Sequence, residues 1–129
     1  MKIAIVMGVV LFGYLFVQNW KPDRIGLGRT TDDTITVSSV RNRMLAEQLI
    51  LIDVRTEPEY TNDHIDGAFL IPLQELSSRI QELNDYKSKE LIMVCRSGNR
   101  SGQATTYLNN NGFNAKNMLG GMIKWNRSK

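Results

Sequence analysis

The stretch LIMVCRSGNRS, residues 91–101, joins two kinds of chain. Leu91 to Val94 is an unbroken apolar run, the pattern of a strand buried on both faces of a parallel sheet. Cys95 ends that run and is the only cysteine in the chain. The next six residues, Arg96, Ser97, Gly98, Asn99, Arg100 and Ser101, are small, polar or cationic. A lone cysteine closing a strand is ordinarily a small buried hydrophobe. A core does not continue into two arginines and a glycine, so a site is the better reading here. Past Ser101, the spacing of Ala104, Tyr107 and Leu108 predicts a helix over 101–110, with Gly112 as its stop. The order strand, tight loop, helix gathers a thiol, unpaired amide donors and the positive end of a helix dipole at one point. Thiolate is favoured there over thiol. Arg96 and Arg100 are expected to lower the cysteine pKa further and to hold an anionic substrate, while Gly98 lets the backbone make the turn.

The surrounding chain supplies a scaffold for that loop. ITV (35–37) is expected as a short strand, and Ser38 or Ser39 as the cap of a helix with Val40, Met44 and Leu45 on one face. LILIDV (49–54) is a second buried strand, closed by Asp53 and followed by Arg55. AFLI (68–71) is a third, after which Pro72 opens a helix with Leu73, Leu76, Ile80 and Leu83 on one stripe. AKNML (115–119) is expected as the last strand, with Gly120, Gly121 and a short helix carrying Met122, Ile123 and Trp125 behind it. Strands alternating with helices imply an α/β domain over 35–129: a small parallel sheet flanked by helices on both faces. Ligands bind such sheets at the carboxyl ends of the strands, where Cys95, Asp53 and Arg55 all fall.

Length and composition agree with one such domain, since 129 residues suit a single core. The net charge of +3 is small and the basic residues are scattered, which argues against a nucleic-acid partner. With one cysteine there is no internal disulfide, and a redox step at Cys95 needs an outside thiol. The first twenty residues differ in kind. Ile3 to Trp20 carries no charge, and as a helix it would span ~27 Å, enough for a bilayer core. Trp20 and Lys21 suit an interfacial boundary. Residues 1–20 are therefore expected as one transmembrane helix, a single-pass anchor or uncleaved signal. A cleaved secretory signal is the alternative, though no small residues follow the apolar run closely. Residues 21–34, rich in Gly, Thr and charge, are expected as a linker. Lys2 against Lys21, Arg24 and Arg29 leans towards the domain lying on the cytoplasmic side, with a periplasmic or exported domain as the other orientation.

CRSGNRS (95–101), LIDVRTEPEY (51–60), HIDGAFLIP (64–72) and LGGMIKW (119–125) stand in an order and spacing that resemble the rhodanese family of sulfurtransferases, over residues 35–126. The resemblance implies a rhodanese-like fold and persulfide chemistry. Cys95 would attack the outer sulfur of a donor such as thiosulfate or a persulfide, and cyanide or a thiol would accept that sulfur. Residues Arg96, Ser97, Gly98, Asn99, Arg100 and Ser101 would hold the substrate, and neither metal nor organic cofactor is implied. Asp53 and Arg55 would support the site, either framing its mouth or forming an ion pair or hydrogen-bond anchor with Glu59. His64 is structural in the family, and Asp63 replaces a glycine usual before it. A cysteine-dependent phosphatase is the alternative enzyme, but its loop places five residues between Cys and Arg, against four between Cys95 and Arg100. A membrane-tethered interaction or redox-sensing module, with Cys95 forming mixed disulfides, is the alternative from another class.

Overall fold

The computed structural model describes residues 33–129. The expected anchor over 1–20 and nearly all of the expected linker lie outside them. Among the described residues no helix is long and apolar enough to cross a membrane.

Five strands form one parallel sheet: β1 (Thr34–Ile35), β2 (Ile50–Asp53), β3 (Phe69–Leu70), β4 (Glu90–Val94) and β5 (Asn114–Met118), in the order β1-β5-β4-β2-β3. The two apolar runs become neighbouring strands, β2 and β4, paired from Ile50–Leu91 to Asp53–Val94. Alternation along them feeds two cores. Leu51, Ile92 and Val94 face one side with Val37, Val40, Met122 and Trp125, whereas Ile52, Leu91 and Met93 face the other with Leu76, Leu83, Ala104 and Leu108. Each Val, Leu, Ile or Met among them, once fully buried, contributes about 1.5–3 kcal/mol.

Helix α1 (Val37–Met44) begins earlier than expected. Thr36, not Ser38 or Ser39, caps it, with Oγ1 accepting from the Ser39 N–H at 3.1 Å. Val37 thus belongs to the helix rather than to the strand. Leu45 is 89% exposed rather than on the apolar face. The helix ends at Met44, and a residue five beyond Val40 lies about 140° round from it. The segment after Pro72 is not one helix but a 3₁₀ turn (Leu73–Glu75), helix α3 (Leu76–Arg79) and a second 3₁₀ stretch (Ile80–Tyr86). Its expected stripe survives, because the steps of three, Leu73 to Leu76 and Ile80 to Leu83, fall on the 3₁₀ pieces and the step of four, Leu76 to Ile80, spans the α turn; Leu76 and Leu83 are buried. Ser78 Oγ donates to the Glu75 carbonyl at 3.0 Å, one of the local side-chain bonds that compete with a regular α ladder.

Helix α2 (Glu57–Asn62) follows β2 through a capping box between Thr56 and Glu59. Asp63, where a glycine was usual, has φ −165°, an extended conformation open to any residue. Helix α4 (Asn99–Asn110) starts two residues before the expected Ser101 and ends as expected at Asn110, with Gly112 as its stop. There the Gly112 and Phe113 N–H groups donate to the Asn109 and Leu108 carbonyls, a Schellman closure with Phe113 and Leu108 both buried. Asn109 clamps the start of β5 through Ala115 N (2.7 Å) and O (3.0 Å). Tyr107, expected on the apolar face, is 36% exposed and borders a shallow cavity with Leu73, Leu76, Ser77 and Gln103. Helix α5 (Gly121–Arg127) closes the fold.

Candidate active site

Cys95 leaves the carboxyl end of β4 with its side chain on the sheet face covered by α4, and only 1% of the residue is exposed. The next residues turn at once, because Gly98 adopts φ +107°, a left-handed conformation that a side chain disfavours, and caps α4. The turn aims the Gly98 N–H at Cys95 Sγ, 3.0 Å away, and Ser101 Oγ approaches the same sulfur at 3.2 Å from the first turn of α4. Burial pushes the thiol pKa up, but the Ser101 hydroxyl and the backbone N–H groups of Ser101, Gly98 and Ser97 outweigh it and leave the thiol below its ordinary value. A partly screened sulfur that is more readily a thiolate is an activated nucleophile.

The lowering therefore comes from the loop amides and one hydroxyl. The amides were expected to favour the thiolate; the further lowering expected from Arg96 and Arg100 is not among the causes. Arg100 instead forms a two-pronged ion pair with Glu59, Nη1 to Oε1 at 2.7 Å and Nη2 to Oε2 at 2.8 Å, and feels the Cys95 charge only as a minor influence. That guanidinium holds the Glu59 carboxyl well down, to about 2, with further help from Thr56. The Arg96 and Asn99 side chains are exposed at the loop, as is Ser97.

Asp53 and Arg55 pair with each other. Arg55 Nη2 lies 2.7 Å from Asp53 Oδ2, the Arg55 Nε reaches both carboxylate oxygens, and Nη2 also donates to the Asp63 carbonyl at 2.6 Å. Both residues are buried, so this is a closed structural pair at the end of β2, and Glu59 is not part of it. His64 Nδ1 meets the Tyr60 carbonyl at 2.8 Å and its ring stacks on Tyr60 at 3.8 Å, which accounts for it without chemistry.

Two residues join the site that the local sequence pattern did not mark. Asn117, on β5, donates through Nδ2 to the Gly98 carbonyl at 3.0 Å, and its Oδ1 accepts from Ser101 Oγ at 2.6 Å. One carboxamide thus grips two of the residues that donate to the sulfur, Gly98 and Ser101. The Ser101 hydroxyl has a single hydrogen, so its donation is divided between Asn117 and Cys95. Gly121 is the second. It has φ +55°, and a Cβ there would stand 2.4 Å from the Cys95 carbonyl oxygen and 2.5 Å from Arg96 backbone atoms. The start of α5 can therefore press against the loop, where Met122 N–H and Ile123 N–H donate to the Cys95 and Arg96 carbonyls at 2.9 and 3.0 Å. With its carbonyls held behind, the loop turns its amides towards the sulfur.

Known proteins resemble this chain in sequence and fold. A family model described as the rhodanese-like domain matches residues 36–128. A sulfurtransferase of Allochromatium vinosum is 35% identical over 82 residues, which are 63% of this chain and 75% of that protein. A tRNA uridine(34) hydroxylase of Buchnera aphidicola is 30% identical over 123 residues, 92% of this chain but only 38% of the hydroxylase. The crystal structure of a rhodanese-like domain protein from Staphylococcus aureus superimposes with a TM-score of 0.68 at 33% identity, covering 72% of this chain and 90% of that one. With the parallel sheet, the loop at the end of β4 and a family match running from the cap of α1 through α5, this chain belongs to the rhodanese-like domain family.

Proposed function

We propose that the chain is a sulfurtransferase that carries sulfane sulfur as a persulfide on Cys95. The observation that carries this reading is the sulfur at the mouth of a helix, receiving the Gly98 N–H at 3.0 Å and the Ser101 hydroxyl at 3.2 Å. A relative named a sulfurtransferase supports it. With thiosulfate as donor, the Cys95 thiolate attacks the outer sulfur, the S–S bond breaks with its electron pair on the sulfite leaving group, and Cys95 holds a persulfide anion. Cyanide or a thiolate then attacks that outer sulfur, leaving as thiocyanate or a new persulfide and restoring the Cys95 thiolate. The amides of Ser97, Gly98 and Ser101 meet the negative charge at each stage without reorganising. Arg96 is the exposed cation of the loop and draws in the anionic donor. Residues 3–20 tether the domain to a membrane, on the strength of their uncharged length, Trp20 at its end and Lys21 beyond it, and the domain lies on the cytoplasmic side, on the strength of Lys21, Arg24 and Arg29 against Lys2.

The test uses the full chain in detergent. Incubation with thiosulfate should add one sulfur atom to Cys95 by intact mass, and cyanide should remove it with thiocyanate formed. Cys95→Ser should do neither. Hydrolysis of an aryl phosphate without sulfur loading would overturn the reading in favour of a phosphatase, and mixed disulfide formation alone would turn it to a redox-sensing module.

A further inference from the structure

Two guanidinium groups stand in the loop, but the fold neutralises one of them. Arg100 is locked fork to fork with Glu59 at 2.7 and 2.8 Å. Glu59 is not free to swing aside, because the same carboxylate accepts from Thr56 N at 3.2 Å and Thr56 Oγ1 at 3.0 Å, at the start of α2. Its carboxyl, held near 2, stays ionised throughout the physiological range. Arg96 is exposed and, among the described residues, has no ion-pair partner. The loop therefore presents the charge of one guanidinium, not two.

Coulomb energy scales with the product of the charges, so neutralising Arg100, which feels the charge at Cys95, weakens a dianion there twice as much as a monoanion. We infer that Glu59 is a specificity-determining residue: by neutralising Arg100 it favours organic persulfides, with at most one negative charge at the transferring sulfurs, over dianionic thiosulfate. This rests on the sulfur transfer at Cys95 proposed above. The chemistry for the two donors is parallel. The Cys95 thiolate takes the outer sulfur of R–S–S⁻, and the electron pair of the broken S–S bond leaves on the thiolate R–S⁻ rather than on sulfite. Glu59 touches neither donor; it acts by positioning and neutralising Arg100.

The measurement is the rate of sulfur loading onto Cys95 in the full chain at low ionic strength, with thiosulfate and with hydroxyethyl persulfide as the two probes. Glu59→Gln removes the charge yet keeps an oxygen for the Thr56 cap, since glutamine also serves in a capping box. It should raise the thiosulfate-to-persulfide ratio of second-order loading constants about tenfold. The gain should lie in the thiosulfate concentration needed for half-saturation and not in the limiting rate, and it should shrink in high salt as screening sets in. Arg100→Gln leaves Glu59 as an uncompensated anion and should move the ratio below that of the parent. The order Glu59→Gln, parent, Arg100→Gln supports the inference. Ratios within twofold of the parent in either variant, with both donors still loading, would overturn it. Should Glu59→Gln not fold, Arg100→Gln decides alone, by lowering the ratio or leaving it. Failure of the parent to load from either donor would instead count against sulfur transfer itself.

Discussion

Replacing Ser101 with alanine removes the strongest of the interactions that lower the Cys95 pKa, while leaving the Gly98 and Ser97 amides in place. A hydrogen bond to a charged acceptor contributes about 1.5–3 kcal/mol, equivalent to about 1–2 pKa units. The Ser101 hydroxyl divides its one hydrogen between Cys95 Sγ at 3.2 Å and Asn117 Oδ1 at 2.6 Å, and the shorter contact goes to Asn117. The lower end of that range therefore applies, an upward shift of about 1 unit. Alkylation of Cys95 by iodoacetamide across pH reports it directly: the midpoint should rise by about 1 unit, and well below both midpoints the rate should fall about tenfold with the thiolate fraction. Asn117 Oδ1 also loses its donor, so the variant should be about 1 kcal/mol less stable in urea. A midpoint within about 0.3 units of the parent in a folded variant would refute the reasoning, since the amides alone would then be holding the sulfur.

Gly121→Ala would drive a Cβ into the Cys95 and Arg96 backbone at 2.4–2.5 Å. Overpacking against backbone should cost about 2–4 kcal/mol in urea unfolding, with sulfur loading falling in whatever fraction stays folded. Asp53→Ala leaves the buried Arg55 guanidinium without its carboxylate and should cost about 3–5 kcal/mol, by the same measurement. Glu59 gives a pH dependence. Its carboxyl lies at about 2 in the fold against an ordinary 4.5, so its contribution is complete above about pH 5.5 and is lost as pH falls towards 2. For a pair about one-third exposed, solvent screening reduces that contribution to about 1–2 kcal/mol, and Glu59→Gln should flatten the acid limb of a stability–pH curve by that amount.

The loop and its scaffold were readable because they are written locally. LIMV and LILIDV become neighbouring strands of the sheet, because short apolar runs bounded by polar residues suit strands covered on both faces. CRSGNR follows such a strand, which is enough to expect amides round a sulfur. The Gly112 stop needed only the helix period before it. Errors of the same local kind are small. Thr36 was passed over as a cap beside two serines, and the 73–86 stripe could not distinguish α from 3₁₀ spacing.

What the order of residues determined by itself is the sequence of elements and the chemistry of the nucleophile, because both follow from side-chain period and composition within a dozen residues. Only the tertiary structure decided the charge and support of the site. Arg100 finds its carboxylate 41 residues away, Asn117 reaches Ser101 across 16, and Gly121 matters because α5 returns to the carboxyl end of β4. Parallel pairing brings the ends of β2, β4 and β5 to one edge, and the partners of a guanidinium or a hydroxyl are set by that meeting, which no local pattern records.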